Sequence, residues 1–271
     1  MTFVSLSDGC RIRYSLRGEG TETYVLIHGW RQSHRLFDRI ITSLEGEARV
    51  FAYDQRGMGE SDKPNSKYDF ELMSNDLAEL LEKFDLKNVT LVGWSMGCTT
   101  SLSYLRRPQD RVARVVLLNG PVRLTKDEDF PNALEPAELA KYINQLEREW
   151  PSRETEWFSD SLLPANQHLT AILTAVGFQT PLDVALKLVK EQGKVDHRST
   201  IRELSVPVLA LYSKFDPYWP ISLGEWIAEN APKGTLTVLE NSAHCAPLEE
   251  PENFIKTLRR FTLDRGDRVA S

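Results

Sequence analysis

The chain has 271 residues, 41% of them apolar and 27% charged, with a formal net charge of −6. That length suits one α/β domain carrying an insertion, and the apolar share is ample for its core. A mildly acidic chain with scattered Lys and Arg lacks the basic face that nucleic acid or an anionic membrane requires, so neither is an expected partner.

In chain order, FVSLS and RIRYSLRG flank Asp8-Gly9 and read as a hairpin with a tight turn. YVLIHG (24–29) reads as a buried strand, and HRLFDRIITSLEG (34–46) has helical spacing. RVFAYDQRG (49–57) is a second strand, and residues 69–86 form a helix with apolar positions three and four apart. VTLVGW (89–94) is a third strand, Met96 to Arg107 a helix, and VARVVLLNG (112–120) a fourth strand. From Pro121 to Val195 the chain reads as several helices without a strand. Alternation then resumes with a strand over 206–216, the helix ISLGEWIAENA, a strand over 235–244 and a last helix from Glu252. Alternating strands and helices imply a mostly parallel, doubly wound sheet covered on both faces. The expected organisation is a core of residues 1–121 and 196–271, interrupted by a helical cap over 122–195.

Cys10, Cys98 and Cys245 are odd in number and widely spaced, which argues against a disulfide framework and offers no metal-ligand spacing. Such thiols suit a reducing, cytoplasmic setting. The stretch MTFVSLSDGCRIRYSL has no basic segment leading into an apolar one, and no window approaches a membrane-spanning run, so neither a signal peptide nor a membrane span is expected. No metal or other cofactor is expected.

The sharpest motif is Gly93-Trp94-Ser95-Met96-Gly97, a G-x-S-x-G lying between a buried strand and a helix. In that context it reads as a nucleophile elbow. The turn strains the central residue, and the flanking glycines avoid collision with the turning backbone. A plain Gly-Ser turn with Ser95 capping the helix is the competing explanation. A serine hydroxyl needs a base. His244 follows the last strand with small neighbours, Ser242 and Ala243, although it could also be a solvent-facing loop histidine. Asp216, at the end of LYSKFD, is the candidate to orient the imidazole, with a turn aspartate before Pro217 as the alternative. The order Ser…Asp…His excludes Asp54, which precedes the elbow. Donors for a developing oxyanion are expected from the backbone N–H of Met96 and of Trp30, with Gly29 allowing close approach.

The segments VLIHGW, VFAYDQRGMGESDKP and LVGWSMGC, with the Asp216 strand end and the His244 loop, resemble the α/β-hydrolase superfamily. The resemblance runs from about residue 24 to 261 and is to the branch of small serine esterases, lactonases and cofactor-free haloperoxidases. It implies the α/β-hydrolase fold and a serine-dependent hydrolase of a hydrophobic ester or lactone. Dehalogenases and epoxide hydrolases of this fold carry a carboxylate where Ser95 stands, which sets those activities aside. The stretch Gly29 to Phe37 resembles the same loop in cofactor-free dioxygenases that open 3-hydroxy-4-quinolone rings, with a His–Asp pair as base. In the better-known members of that group the acid follows the strand after the elbow helix, where this chain has Asn119. A small-molecule receptor built on the same scaffold is a third reading. The expected substrate is small and hydrophobic. Its expected contacts are Trp30, His34 and Trp94 from the core and Trp157 and Phe158 from the cap.

Overall fold

The structure, a computed structural model, describes residues 2–263. Its eight strands are β1 (Phe3–Ser5), β2 (Arg11–Arg17), β3 (Thr23–Ile27), β4 (Arg49–Tyr53), β5 (Val89–Trp94), β6 (Val112–Leu118), β7 (Val208–Ser213) and β8 (Gly234–Leu239). They form one sheet in the order β1-β2-β4-β3-β5-β6-β7-β8. β1 and β2 pair antiparallel through the turn in which Gly9 takes φ 86, β2 pairs antiparallel with β4, and the remaining pairs are parallel.

β3, β5 and β7 are buried along their whole length, as parallel strands with both faces covered must be. Side chains alternate between two layers. Val25 and Ile27 pack into one apolar cluster, Tyr24 and Leu26 into the other. The first cluster is closed by α2 (Phe70–Lys83), α3 (Met96–Tyr104) and α9 (Ile221–Asn230), through residues such as Leu77, Leu102 and Leu223. The second is closed by α1 (Asp38–Leu44) and α11 (Pro251–Leu263), through Ile40, Ile41, Phe254 and Leu258. In α2 the buried positions Leu77, Leu80 and Leu81 follow helical spacing, and each fully buried leucine contributes about 1.5–3 kcal/mol. Asp69 caps α2, its Oδ1 accepting from the Leu72 amide at 2.8 Å.

Three strands stop three or more residues short of the runs expected from sequence. β4 ends at Tyr53, β7 at Ser213 and β8 at Leu239. Beyond them the backbone turns into loops, as where the Asp216 amide donates back to Ser213. Asp54, Asp216 and His244 therefore lie in loops at the carboxyl edge of the sheet, where α/β folds place ligands. The helical stretch from His34 opens as a 3-10 turn, His34–Phe37, before α1 begins.

Between β6 and β7 the chain runs through α4 (Pro136–Glu149), α5 (Glu154–Asp160), a 3-10 turn (Pro164–Leu169), α6 (Thr170–Gly177), α7 (Leu182–Gln192) and α8 (Arg198–Glu203). The two ends of this excursion meet. Arg123 and Asp196 form an antiparallel bridge, and the His197 amide donates to Val122 O at 3.0 Å. Arg123 and Arg198 both pair with Asp127 and Asp196 at this neck. α8 then packs on α9, so the helices before the neck form the cap over the sheet edge. A short α10 (Ala246–Glu249) follows the His244 loop. Among the described residues no single helix is long and apolar enough to cross a membrane. Cys10, Cys98 and Cys245 are buried free thiols.

Candidate active site

The turn after β5 holds Ser95 at φ 54 and ψ −119, a backbone conformation costly for a residue with a side chain. Its neighbours explain the glycines. A Cβ on Gly93 would lie 2.6 Å from Gly97 O, and one on Gly97 would lie 2.1 Å from Ile27 O. The Ser95 amide donates to Leu118 O at 2.9 Å, which ties the turn to β6. Ser95 makes no side-chain capping bond to α3, so the capping explanation does not account for it. Ser95 instead lines a cavity of about 560 Å³ under the cap.

His244 lines the same cavity. Its Nδ1 lies 2.8 Å from Asp216 Oδ2, which fixes Nδ1–H as donor and leaves Nε2 as the basic nitrogen. Asp216 has a fully buried side chain and divides its oxygens. Oδ1 accepts the amides of Tyr218 and Trp219 at 2.8 and 3.2 Å, while Oδ2 serves His244. Asp216 thus serves both its own turn and the His244 ring, one oxygen for each. The His244 carbonyl accepts from Trp94 Nε1 at 2.9 Å and Asn119 Nδ2 at 3.2 Å, and its amide donates to Ser161 O in the cap at 3.1 Å.

Opposite the base, the loop after β3 presses on the elbow. A Cβ on Gly29 would sit 3.1 Å from Ser95 Cβ, so glycine allows that approach. Met96 is the first residue of α3, and its N–H belongs to the unpaired group at a helix start. The Trp30 amide follows Gly29 on the facing loop. Beneath them His28 is wholly buried, and burial pushes its pKa down to about 4. The neutral ring donates from Nδ1 to Gly29 O at 2.8 Å and accepts the Gln55 amide on Nε2 at 2.9 Å. Gln55 returns a bond to His28 O at 2.7 Å, and Thr100 donates to Gln55 Oε1 at 2.7 Å.

The expected substrate contacts divide. Trp30, Trp157 and Phe158 line the cavity. Trp94 borders it too, but its indole is 1% exposed, packs on Phe37 and supports the His244 carbonyl. His34 does not reach the cavity and is corrected to a structural residue. Its amide and Nδ1 both lie within hydrogen-bond distance of Asp54 Oδ1, at 2.7 and 2.6 Å, and it is buried. Burial drives Asp54 upward, yet the bond from His34 and the nearby imidazoles outweigh it and hold the carboxyl below its usual range. Asp54 Oδ2 accepts the Glu60 amide, so the pair braces the loop that follows β4.

Several site residues had no sequence signal. Tyr142 and Tyr218 complete the aromatic wall, with Trp30 and Trp157 5.5 Å apart and Tyr218 4.9 Å from the His244 ring. Leu124, Leu134, Leu139 and Val189 form an aliphatic wall. Gln55, Thr100 and Asn119 act through other residues. Their role depends on partners distant in sequence, which periodicity and motif spacing do not report.

Residues 24–159 match the model of the alpha/beta hydrolase fold family. A pimeloyl-(acyl-carrier protein) methyl ester esterase of Neisseria meningitidis is 26% identical, over 87% of this chain and 75% of that protein. A non-heme chloroperoxidase of Kitasatospora aureofaciens is 27% identical, over 96% and 99%. Among solved structures, an esterase from Exiguobacterium antarcticum superposes with a TM-score of 0.89 at 26% identity, covering 97% of this chain and 99% of that one.

Proposed function

This chain belongs to the alpha/beta-hydrolase fold family, and from that premise we propose that it hydrolyses a small hydrophobic carboxylic ester or lactone through an acyl-enzyme on Ser95. The observation that carries the reading is convergence. Ser95, the Asp216-oriented His244 and the Gly29–Trp30 loop meet in one largely apolar cavity under the cap.

Ser95 Oγ attacks the carbonyl carbon as its proton passes to His244 Nε2. The carbonyl π pair moves onto oxygen, and the amides of Trp30 and Met96 stabilise that oxyanion. Collapse expels the alkoxide, which takes the proton from His244. Water then repeats the sequence on the acyl-serine, with His244 again as base, and releases the carboxylic acid. Asp216 holds the ring in the productive tautomer and stabilises the imidazolium. The bond from Nδ1 to Oδ2 supports that role.

The test is an active-site-directed fluorophosphonate together with a panel of acyl esters and lactones, assayed under air and under nitrogen. We expect one label per chain on Ser95 and turnover that ignores oxygen. Ser95→Ala should lower kcat by about four to six orders of magnitude, as loss of a triad serine does. Labelling of a different serine, or oxygen-dependent consumption of 3-hydroxy-4-quinolones that survives Ser95→Ala, would overturn the reading. The position of the acid weighs against that second chemistry. At the alternative position Asn119 is fully buried, accepting from the Ser213 amide and donating to Ser213 Oγ.

A further inference from the structure

Arg31, next to Trp30 in the chain, is fully buried. Its backbone sits at φ 58, which a long side chain adopts only when its surroundings impose it. Those surroundings are the cap. The guanidinium pairs with Glu154 at the start of α5, whose side chain is 6% exposed. Its carbon lies 4.5 Å from the Trp150 ring centroid and 5.2 Å from those of Phe158 and Trp30. Gly177 of α6 leaves room for the Phe158 ring that packs on the guanidinium, since a Cβ there would lie 2.4 Å from that ring. None of the three guanidinium nitrogens has a well-aligned hydrogen bond among the described residues, and the ion pair with Glu154 is what balances this buried charge. A second tie runs alongside, with Trp30 Nε1 donating to Ala185 O of α7 at 3.0 Å.

We propose that Glu154 is a positioning residue for catalysis: its buried ion pair with Arg31 clamps the Gly29–Gln32 loop to the cap and holds the Trp30 amide over Ser95. The inference rests on the acyl-serine reading, in which that amide stabilises the oxyanion. On the core side the Arg31 amide donates to Met58 Sδ at 3.3 Å, while the cap grips both the Trp30 indole and the Arg31 side chain. The cap is then part of the transition-state apparatus as well as a wall of the cavity.

The experiment compares wild type, Glu154→Gln, Glu154→Asp and the double variant Arg31→Met/Glu154→Leu, each as the full chain. An unpaired buried charge destabilises strongly, and replacing both partners by apolar side chains keeps the fold available. For each protein, kcat and KM are measured on a p-nitrophenyl ester. Binding is measured for an alkylboronic acid, whose serine adduct is tetrahedral, and for the matching alcohol, which fills the cavity without an oxyanion. In Glu154→Gln and the double variant, kcat and boronate affinity should fall together by about 10- to 100-fold, the scale of a misplaced oxyanion donor. KM and alcohol affinity should stay within about twofold of wild type, and Glu154→Asp should recover most of the lost kcat. A folded double variant with wild-type kcat and boronate affinity would overturn the proposal. So would a loss of alcohol affinity equal to the loss of kcat, because that describes a collapsed cavity. Failure of wild type to be labelled at Ser95 removes the acyl-serine reading and the clamp with it. Labelled wild type with indifferent variants removes the clamp alone.

Discussion

Asp216 and His244 follow the carboxyl ends of β7 and β8 and are held mainly by the sheet's own edge, with one backbone bond to the cap from the His244 amide to Ser161 O. The amides of Tyr218 and Trp219 fix the carboxylate, and Trp94 and Asn119 fix the His244 carbonyl. Across Ser95, the loop carrying Trp30 is anchored below by His28 and Gln55 but gripped above by the cap, through Ala185 and Glu154. The His244 side of the cavity is thus chiefly a product of strand ends, and the Trp30 side is shared between strand end and insertion. Changes in the cap should therefore reach transition-state stabilisation before they reach proton transfer.

The comparison breaks most visibly at the acid. Asp216→Asn keeps the turn amides supplied through the side-chain carbonyl oxygen but presents an amide to His244 and favours the wrong tautomer. We expect kcat to fall by about three to four orders of magnitude with little change in melting temperature. A drop under tenfold would place the orienting carboxylate elsewhere.

The oxyanion side is probed by acid. Burial depresses His28 to about 4 and His197, at the cap neck, to about 3, against an unfolded value of 6.5. Both rings are neutral in the native state, while the unfolded chain takes up protons below pH 6.5. Stability is therefore complete above that pH and is lost as pH falls from 6.5 towards 4, and a little further for His197. The loss is on the order of 3 kcal/mol for His28 alone. Urea unfolding at pH 7 and pH 4.5 measures it, and His28→Asn should flatten the dependence. An unchanged slope in that variant would show that the buried imidazole is not its source.

The smallest expected effect sharpens the account of the base side. Asn119 sits at φ 44 and joins Ser213 to the His244 loop through both ends of its amide. Asn119→Ala leaves those buried groups unpaired. It should cost about 2–4 kcal/mol of stability while lowering kcat no more than about tenfold. An activity loss as large as that of Asp216→Asn, in a protein of normal stability, would make Asn119 part of the proton-transfer machinery.

Much of this architecture is local information. Apolar runs bounded by turns mark β3, β5, β6 and β7, because strands buried on both faces tolerate little else. The 3.6-residue spacing marks α2, and the two glycines around Ser95 are required by contacts within the same turn and with the adjacent β3 end. The order Ser95, Asp216, His244 is the one this fold uses. Strand ends were less legible, since Asp54, Asp216 and His244 continue apolar runs whose backbone is diverted by tertiary bonds. His34 shows the limit most clearly. Its place beside Trp30 suggests a substrate contact, yet Asp54, 20 residues away, draws the ring away from the cavity. Arg31 with Glu154, His28 with Gln55 and Thr100, and Asn119 with His244 are joined across long separations in the chain. Secondary structure is set by neighbours a few residues apart, so the layers and the glycine-flanked turn at Ser95 are legible in the chain itself. Which buried charge meets which carboxylate depends on how the cap lands on the sheet edge, and that only the folded packing decided.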